Sequence, residues 1–139
     1  MVKAVVALLM VVSFMQAYEL NAQMKDFMDS LLTEAKKQNP NLKAFDYARG
    51  EKIFTAEQMG KKGNKISCVT CHTADLAKKG LNENTNKVIE PLSPSANPKR
   101  FSDTKEVQKW LRRNFKDVYN REGTPQEQGD VVTYIINKK

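Results

Sequence analysis

Apolar residues recur at intervals of three and four along several stretches of the chain, which is the spacing of one helix face. The first stretch predicts an amphipathic helix from Asn21 to Lys37, ended by the polar run around Pro40; its apolar positions are Met24, Phe27, Met28, Leu31, Leu32 and Ala35. A second helix is predicted from about Lys43 to Gln58, and it carries Tyr47, Gly50, Ile53 and Phe54.

Two further helices are predicted near the C-terminus, and each begins at a recognisable cap. Asp103, followed three residues later by Glu106, predicts a capping box ahead of an apolar stripe that consists of Val107, Trp110, Leu111, Phe115 and Val118. Thr124 and Glu127 form a second box, with Pro125 at the favoured first helical position. The final helix continues through Val131, Val132, Ile135 and Ile136.

The remaining chain shows no convincing strand pattern. Residues 60–64 are expected to form a loop, and residues 80–100 are rich in asparagine and proline, which favours loop there too. We therefore predict an all-α chain. Gly50 would allow the backbone of the final helix to approach closely near Tyr134, because glycine has no Cβ.

The most specific chemistry lies in Cys68-Val69-Thr70-Cys71-His72, which matches C-x-x-C-H, the attachment sequence of a c-type haem. The two thiols form thioethers to the porphyrin, and the adjacent imidazole binds the iron as proximal ligand. A thioredoxin-like pair would need a βαβ context, and a structural zinc site normally has four ligands. The chain has two cysteines and one histidine, so the motif predicts one covalently attached haem c held by Cys68, Cys71 and His72.

The N-terminus indicates the compartment. Residues 1–17 are typical of a secretory signal peptide, with a charged start at Lys3, an apolar run and the small Ala17. Cleavage after Ala22 is a second option. The apolar run is short for a membrane span, so we expect a cleaved leader and a periplasmic protein, because bacteria attach haem to this motif outside the cytoplasm.

The length and charge of the chain limit its domain organisation and its partners. Its 139 residues suit a leader, an N-terminal amphipathic helix within residues 18–40 and one cytochrome c domain over residues 41–139. The formal net charge is +7, and basic residues flank the haem motif at Lys61, Lys62, Lys65, Lys78 and Lys79. This charge either steers an acidic redox partner or is simply a solvated surface. No interleaved aromatics or recognition helix accompany it, which disfavours nucleic-acid binding.

The sixth ligand of the iron is the open question. All six methionines precede Cys68, whereas electron-transfer cytochromes c usually take a methionine from the chain after the motif. Asn114 falls on the apolar stripe of the third predicted helix, where a polar amide needs a partner. Its carbonyl oxygen can bind ferric iron, which accepts oxygen ligands; the alternative is an ordinary buried asparagine with hydrogen-bond partners.

Three segments resemble the sphaeroides haem protein family: VIEPLSPSANPKRF at residues 88–101, VQKWLRRN at 107–114 and REGTP at 121–125. With the haem motif, the similarity runs from about Arg49 to the C-terminus. The resemblance implies a high-spin class I cytochrome c, its helices packed around the haem, to which the N-terminal helix is an addition. It also implies that Asn114 is the sixth ligand in the oxidised state and leaves the iron on reduction. The ferrous haem then binds oxygen, carbon monoxide or nitric oxide.

The resemblance has further implications. It implies a dihaem cytochrome c and a membrane b-type cytochrome as redox partners. Many relatives have a disulfide between the residue after the ligand asparagine and the following turn; the corresponding residues here are Phe115 and Gly123. That covalent link is therefore absent from this chain.

Several other residues are candidates for contacts with the haem. Arg100 and Trp110 can donate hydrogen bonds to its propionates, although Trp110 could equally be a packing residue and Arg100 a solvated one. Candidates for the wall of the haem site are Ile66, Leu81, Leu92, Phe101 and Phe115.

Two functional classes remain open, an electron-transfer protein and an enzyme. We favour an electron carrier or terminal electron acceptor whose reduced iron also binds diatomic gases. The alternatives are a haem enzyme acting on peroxide, oxygen or nitric oxide, and a simple low-spin electron carrier. Nothing in the sequence resembles a nucleophile with its base or a distal general acid, which disfavours the enzyme.

Overall fold

A computed structural model describes residues 18–138; the predicted signal peptide over residues 1–17 lies outside the described residues. The described part is mainly helical, with four strands of two residues each. In chain order its elements are α1 (Ala22–Gln38), α2 (Tyr47–Thr55), β1 (Gln58–Met59), β2 (Lys65–Ile66), α3 (Cys68–His72), β3 (Gly80–Leu81), β4 (Val88–Ile89), α4 (Thr104–Tyr119) and α5 (Pro125–Asn137). Within residues 18–138, no helix has both the length and the apolar character needed to cross a bilayer.

Helix α1 confirms the N-terminal amphipathic helix to within one residue at each end. Asn21 caps it, since its side-chain oxygen accepts from the Met24 amide at 2.9 Å. The residues on its apolar face, which packs against α5 and α4, are Met24, Phe27, Leu31 and Ala35.

Helix α2 is shorter than the predicted Lys43–Gln58 at both ends. It starts at Tyr47 because the Asp46 carboxylate accepts from the Arg49 amide at 2.8 Å and caps the helix there. It ends at Thr55 because Gln58 and Met59 leave the helix and pair as a strand.

The expectation of no strands is wrong, because the structure has two antiparallel hairpins. In the first, Gln58 pairs with Ile66 and encloses the predicted loop at residues 60–64. In the second, Gly80 pairs with Ile89. Strands of two residues are too short to show the alternation by which strands are recognised in a sequence.

The caps of the last two helices are confirmed in part. Asp103 caps α4 by accepting from the amides of Lys105 and Glu106, at 2.9 and 3.3 Å. The Glu106 carboxylate does not complete the predicted box; it contacts the Lys109 ammonium and the Trp110 indole instead. The box at the start of α5, with Thr124, Glu127 and Pro125, is present as predicted.

Helices α2 and α5 cross at Gly50, as predicted. A Cβ at Gly50 would lie 2.0 Å from the Asp130 carbonyl oxygen and 2.8 Å from the Tyr134 Cβ, so only glycine permits this approach. The Asp130 carboxylate, 1% exposed, accepts from Arg49 Nε at 2.8 Å, from Arg49 Nη2 at 2.9 Å and from the Asp46 amide at 2.7 Å. The crossing thus combines a backbone contact with a bidentate ion pair in which the carboxylate is buried and the guanidinium is partly exposed.

Candidate functional site

Helix α3 carries the C-x-x-C-H motif. The Ser67 amide donates to Thr70 Oγ1 at 3.0 Å at its start, and Thr73 ends it with a φ of 64°. Cys68 and Cys71 are three residues apart, which places both thiols on one side of the helix. Behind them, a Cβ at Gly80 would lie 2.0 Å from the Cys71 carbonyl oxygen. The β3–β4 hairpin therefore packs its backbone directly on the end of α3.

Burial controls the chemistry of the two end residues of this helix. It raises the pKa of the Cys68 thiol to about 12, with Cys71 as a further cause, so an unreacted Cys68 is a weak nucleophile in the folded chain. Burial, and then the positive charge of Arg100, lower the pKa of His72 to about 4. The imidazole is therefore neutral at physiological pH, which is the form that binds a metal.

An apolar cavity of about 350 Å³ opens beside His72. Its wall is formed largely by aromatic and aliphatic side chains from α2, α4, α5 and the loop before α4, among them Phe54, Leu92, Phe101, Leu111, Val131 and Ile135. Cys68, His72 and Asn114 contact the same cavity. An attachment cysteine and two nitrogen or oxygen donors thus meet in a mainly apolar space.

Asn114, on α4, faces His72, on α3. The Asn114 side-chain Nδ2 lies 3.5 Å from His72 Nε2, and among residues 18–138 the buried His72 Nδ1 has no hydrogen-bond partner. His72 and Asn114 therefore bring their side-chain donors together in one cavity, and a neutral imidazole, an amide and apolar walls are groups that would fit a haem.

The two candidates for propionate contacts also contact the cavity. The Arg100 guanidinium donates to the backbone carbonyl of Pro91, at 2.8 Å, and to that of Glu90. The Trp110 indole donates to the Glu106 carboxylate at 3.2 Å, and Trp110 is 42% exposed. Both donors are thus near the cavity and already have protein acceptors, so their contacts with propionates stay a prediction.

Of the five residues predicted for the haem wall, three contact the cavity and two lie elsewhere. Leu92, Phe101 and Phe115 contact the cavity. Ile66 instead packs on Gly60, and Leu81 is 50% exposed on the second hairpin. Other residues of the cavity wall were predicted only as apolar positions of helices, namely Phe54, Leu111, Val131, Val132 and Ile135. Their apolar spacing predicts a buried face but not what that face contacts.

Phe115 and Gly123 are in direct contact. A Cβ at Gly123 would lie 2.7 Å from two carbons of the Phe115 ring. The ring of Phe115 therefore holds the end of α4 against the turn before α5, with no sulfur involved.

The sequence and the fold have clear counterparts among known proteins. Residues 40–135 match the family described as "Domain of unknown function (DUF1924)". The chain is 43% identical over 90 residues to cytochrome c-type protein SHP of Cereibacter sphaeroides, covering 65% of this chain and 69% of that protein. It is 29% identical over 100 residues to cytochrome c'' of Methylophilus methylotrophus, covering 72% and 69%.

Two solved structures resemble the described chain closely. Oxidised cytochrome c'' of Methylophilus methylotrophus superposes with a TM-score of 0.74 at 26% identity, over 84% of this chain and 94% of that one. The structure of oxidised SHP, described as an oxygen binding cytochrome c, superposes with a TM-score of 0.70 at 36% identity, over 81% and 94%.

Proposed function

The chain belongs to the sphaeroides haem protein family, whose members are high-spin c-type cytochromes, and on that premise we propose that it transfers electrons and binds small diatomic molecules at a ferrous haem. One haem c would be held by thioethers from Cys68 and Cys71, with the His72 imidazole as a ligand of its iron. When bound, the haem supplies an iron that changes oxidation state and accepts a diatomic ligand. We assign this function to the periplasm, which the predicted leader would reach.

The approach of Asn114 to His72 is the observation that supports this function best. An amide oxygen is a neutral, weak ligand, so Asn114 would occupy the sixth position of ferric iron without forcing it low-spin. Ferrous iron is softer and has less preference for oxygen donors, so Asn114 would release it on reduction. Within residues 18–138, no methionine contacts the cavity to take its place.

Visible spectra of two substitutions at Asn114 test this assignment. Asn114→Ala removes the amide and leaves space, whereas Asn114→Leu removes it and keeps most of the volume. We expect both to alter the ferric spectrum, because both lack the oxygen ligand, and the wild-type ferrous protein to bind carbon monoxide. Asn137→Ala is the matched control, since Asn137 is exposed and donates only to the Thr133 carbonyl, at 2.8 Å.

Other spectra would contradict the proposal. A low-spin ferrous spectrum that carbon monoxide leaves unchanged would mean that a strong ligand holds the iron, as in a simple electron carrier. Sustained turnover of peroxide, or of nitric oxide with oxygen, would instead support the haem enzyme. Stoichiometric oxidation without turnover is the result that we expect.

A basic surface next to the haem motif is our candidate for docking the redox partner. We call it the basic hairpin; it consists of Lys61, Lys62 and Lys65, all exposed, on the β1–β2 hairpin that leads into α3. Within residues 18–138, none of the three forms an ion pair. Their charge is thus uncompensated and would attract an acidic face on a partner such as a dihaem or b-type cytochrome.

The lysines after the motif differ from the basic hairpin and offer a control. Lys79 pairs with Glu90 at 2.9 Å, and Lys78 lies 3.7 Å from Asp75. Because nearby carboxylates already compensate these charges, neutralising them should change the long-range field less.

The two sets of lysines can be compared by measuring the rate of electron transfer at low ionic strength. Changing all three lysines of the basic hairpin to glutamine should slow reduction by an acidic donor protein by roughly tenfold. Lys78→Gln with Lys79→Gln should have a much smaller effect. Equal effects of the two sets, or rates that do not depend on salt, would contradict docking at the basic hairpin.

A further inference from the structure

Phe101, in the loop ahead of α4, has a strained backbone. Its φ is 59° and it is 8% exposed, and its side chain forms part of the cavity wall that also includes Asn114. A bulky side chain rarely adopts a left-handed backbone, because its Cβ crowds the carbonyl oxygen. Such a conformation persists only where the surrounding structure holds it.

Two hydrogen bonds from the start of the described chain enclose this residue. The Tyr18 hydroxyl donates to the Arg100 carbonyl at 3.0 Å, and Asn21 Nδ2 donates to the Ser102 carbonyl at 3.1 Å. The backbone carbonyls of the two residues that flank Phe101 are thereby tied to residues about 80 positions earlier in the chain.

The other end of each bond is firmly anchored. Asn21 is also the cap of α1, because its Oδ1 accepts from the Met24 amide at 2.9 Å. Met24 is 0% exposed, and the apolar face of α1 packs against α5 and α4. Tyr18 is itself half-buried against the core. The bonds therefore restrain the loop against a helix that packing holds in place.

We propose that Tyr18 and Asn21 are positioning residues that hold Phe101 in the wall of the haem cavity and so limit the entry of small ligands beside Asn114. Without the two bonds, the strain at Phe101 favours movement of the loop away from its present path. The effect on ligand entry rests on the proposed gas-binding function, whereas the effect on loop motion does not.

Two conservative variants remove the donors. Tyr18→Phe keeps the ring and loses the hydroxyl. Asn21→Asp keeps the oxygen that caps α1, since aspartate is an equally good cap, and replaces the Nδ2 donor with a carboxylate oxygen that repels the Ser102 carbonyl. Tyr119→Phe is the matched control, because the Tyr119 hydroxyl also donates to a backbone carbonyl, that of Ile53 at 2.7 Å, away from this loop.

We call the two hydrogen bonds from Tyr18 and Asn21 the clamp, and two measurements on the holoprotein test it. Hydrogen–deuterium exchange of the ferric protein should be about fivefold faster at the amides of residues 100–102 for each bond lost. The net contribution of one hydrogen bond to stability corresponds to about that factor in the equilibrium between the closed and the open loop. The rate of carbon monoxide binding to the ferrous protein should rise in the same variants. Tyr119→Phe should leave both quantities at their wild-type values.

A double-mutant cycle with Phe101→Gly checks the physical cause. Glycine adopts positive φ without strain and carries no ring into the cavity, so Phe101→Gly alone should raise the carbon monoxide rate. In that background, Tyr18→Phe should add no further increase. Full additivity of the two changes would overturn the proposal.

The remaining outcomes separate the clamp from the function on which it rests. If wild-type ferrous protein does not bind carbon monoxide, the proposed function fails, and loop exchange alone still tests the clamp. If it binds the gas but neither the loop exchange nor the rate changes in Tyr18→Phe with Asn21→Asp, the clamp is wrong. Mass spectrometry of the exported protein gives a third check, because cleavage after Ala22 would remove both residues and overturn the proposal.

Discussion

The crossing of α2 and α5 and the end of α4 are held together by different kinds of contact. At the crossing, Gly50 lies against the backbone of Asp130, and neither partner has a bond that can rotate to make room. At the end of α4, Gly123 lies against the ring of Phe115, which can turn. The rigid contact joins the two helices of the scaffold. The adjustable one is adjacent to Asn114, the residue that has to release the iron in our proposal.

Gly50→Ala should have the largest effect on stability. The new Cβ would lie 2.0 Å from the Asp130 carbonyl oxygen, and we expect the free energy of unfolding to fall by about 3 kcal/mol, the upper end for overpacking. Denaturant unfolding of the holoprotein measures this. Gly63→Ala is the control: Gly63 has open space around it and a φ of 77°, so its substitution should cost about 1 kcal/mol through the backbone alone. Equal losses in the two variants would show that the crossing tolerates a Cβ.

Asp130→Asn should destabilise the same crossing somewhat less. The substitution keeps the shape but removes the charge that accepts both bonds from Arg49, and hydrogen bonds to charged groups contribute about 2 kcal/mol. Glu51→Gln is the control, since the Glu51 carboxylate meets only the Lys138 ammonium at 3.4 Å and both are partly exposed. Thermal unfolding should show a clear loss for Asp130→Asn and almost none for Glu51→Gln; the reverse order would contradict the importance of the Arg49–Asp130 pair.

Gly123→Ala should cost less stability but alter the haem spectrum. The ring of Phe115 can turn away from the new Cβ, so we expect a loss of about 1 kcal/mol. Since Phe115 follows Asn114, the movement should shift the ferric absorption bands, whereas Gly50→Ala should leave the bands of the folded protein unchanged. Adding Phe115→Leu to Gly123→Ala should restore space and reduce the shift. A wild-type spectrum together with a stability loss as large as that of Gly50→Ala would show that the two regions do not differ as we describe.

Acid should weaken the turn before α5 slightly. The Arg121 side chain, which hydrogen-bonds the Glu127 carboxylate at 2.7 Å, lowers the pKa of Glu127 below its usual value. A lowered folded-state pKa means that the pair stabilises the protein above the ordinary carboxyl pKa and that this contribution is lost as the pH falls through the lowered value. The pair is partly exposed, so the contribution should be below about 1 kcal/mol.

Melting temperatures measured from neutral pH to about pH 3 test whether the pair loses its contribution to stability in acid. The advantage of wild type over Glu127→Gln should shrink as the pH falls, because both side chains are then uncharged. Glutamine can still complete the capping box, so the helix start is preserved. An advantage that grows in acid would contradict the assignment.

The sequence predicted the parts of this molecule that follow from local chemistry. The attachment motif needs only five adjacent residues, and α1, α4 and α5 have caps and regular apolar faces. Gly50 could be identified because a glycine within a helical pattern requires a close neighbour or a loss of stability. The position of Asn114 on an apolar helix face is compatible with an iron ligand and with an ordinary buried amide. Only the resemblance to a family favoured the ligand.

The features that the sequence missed depend on contacts between distant residues. The two hairpins have strands of two residues, too short for a pattern. Phe101 looks like any apolar residue, and nothing local indicates its left-handed backbone, because Tyr18 and Asn21 hold it from the other end of the chain. Ile66 and Leu81 were assigned to the haem wall by their apolar character, which does not distinguish one buried or exposed surface from another.

The presence of Phe115 and Gly123 in place of a cysteine pair also affects how the chain matures. A chain with a disulfide here and a C-x-x-C-H motif needs at least four cysteines, and four cysteines can pair in three ways before the haem is attached. This chain has two, so the only intramolecular disulfide open to it joins Cys68 and Cys71. A single reduction step then prepares the apoprotein for haem ligation, and no mispaired product can accumulate within one chain. The mature protein should accordingly keep the same stability whether or not a thiol reductant is present.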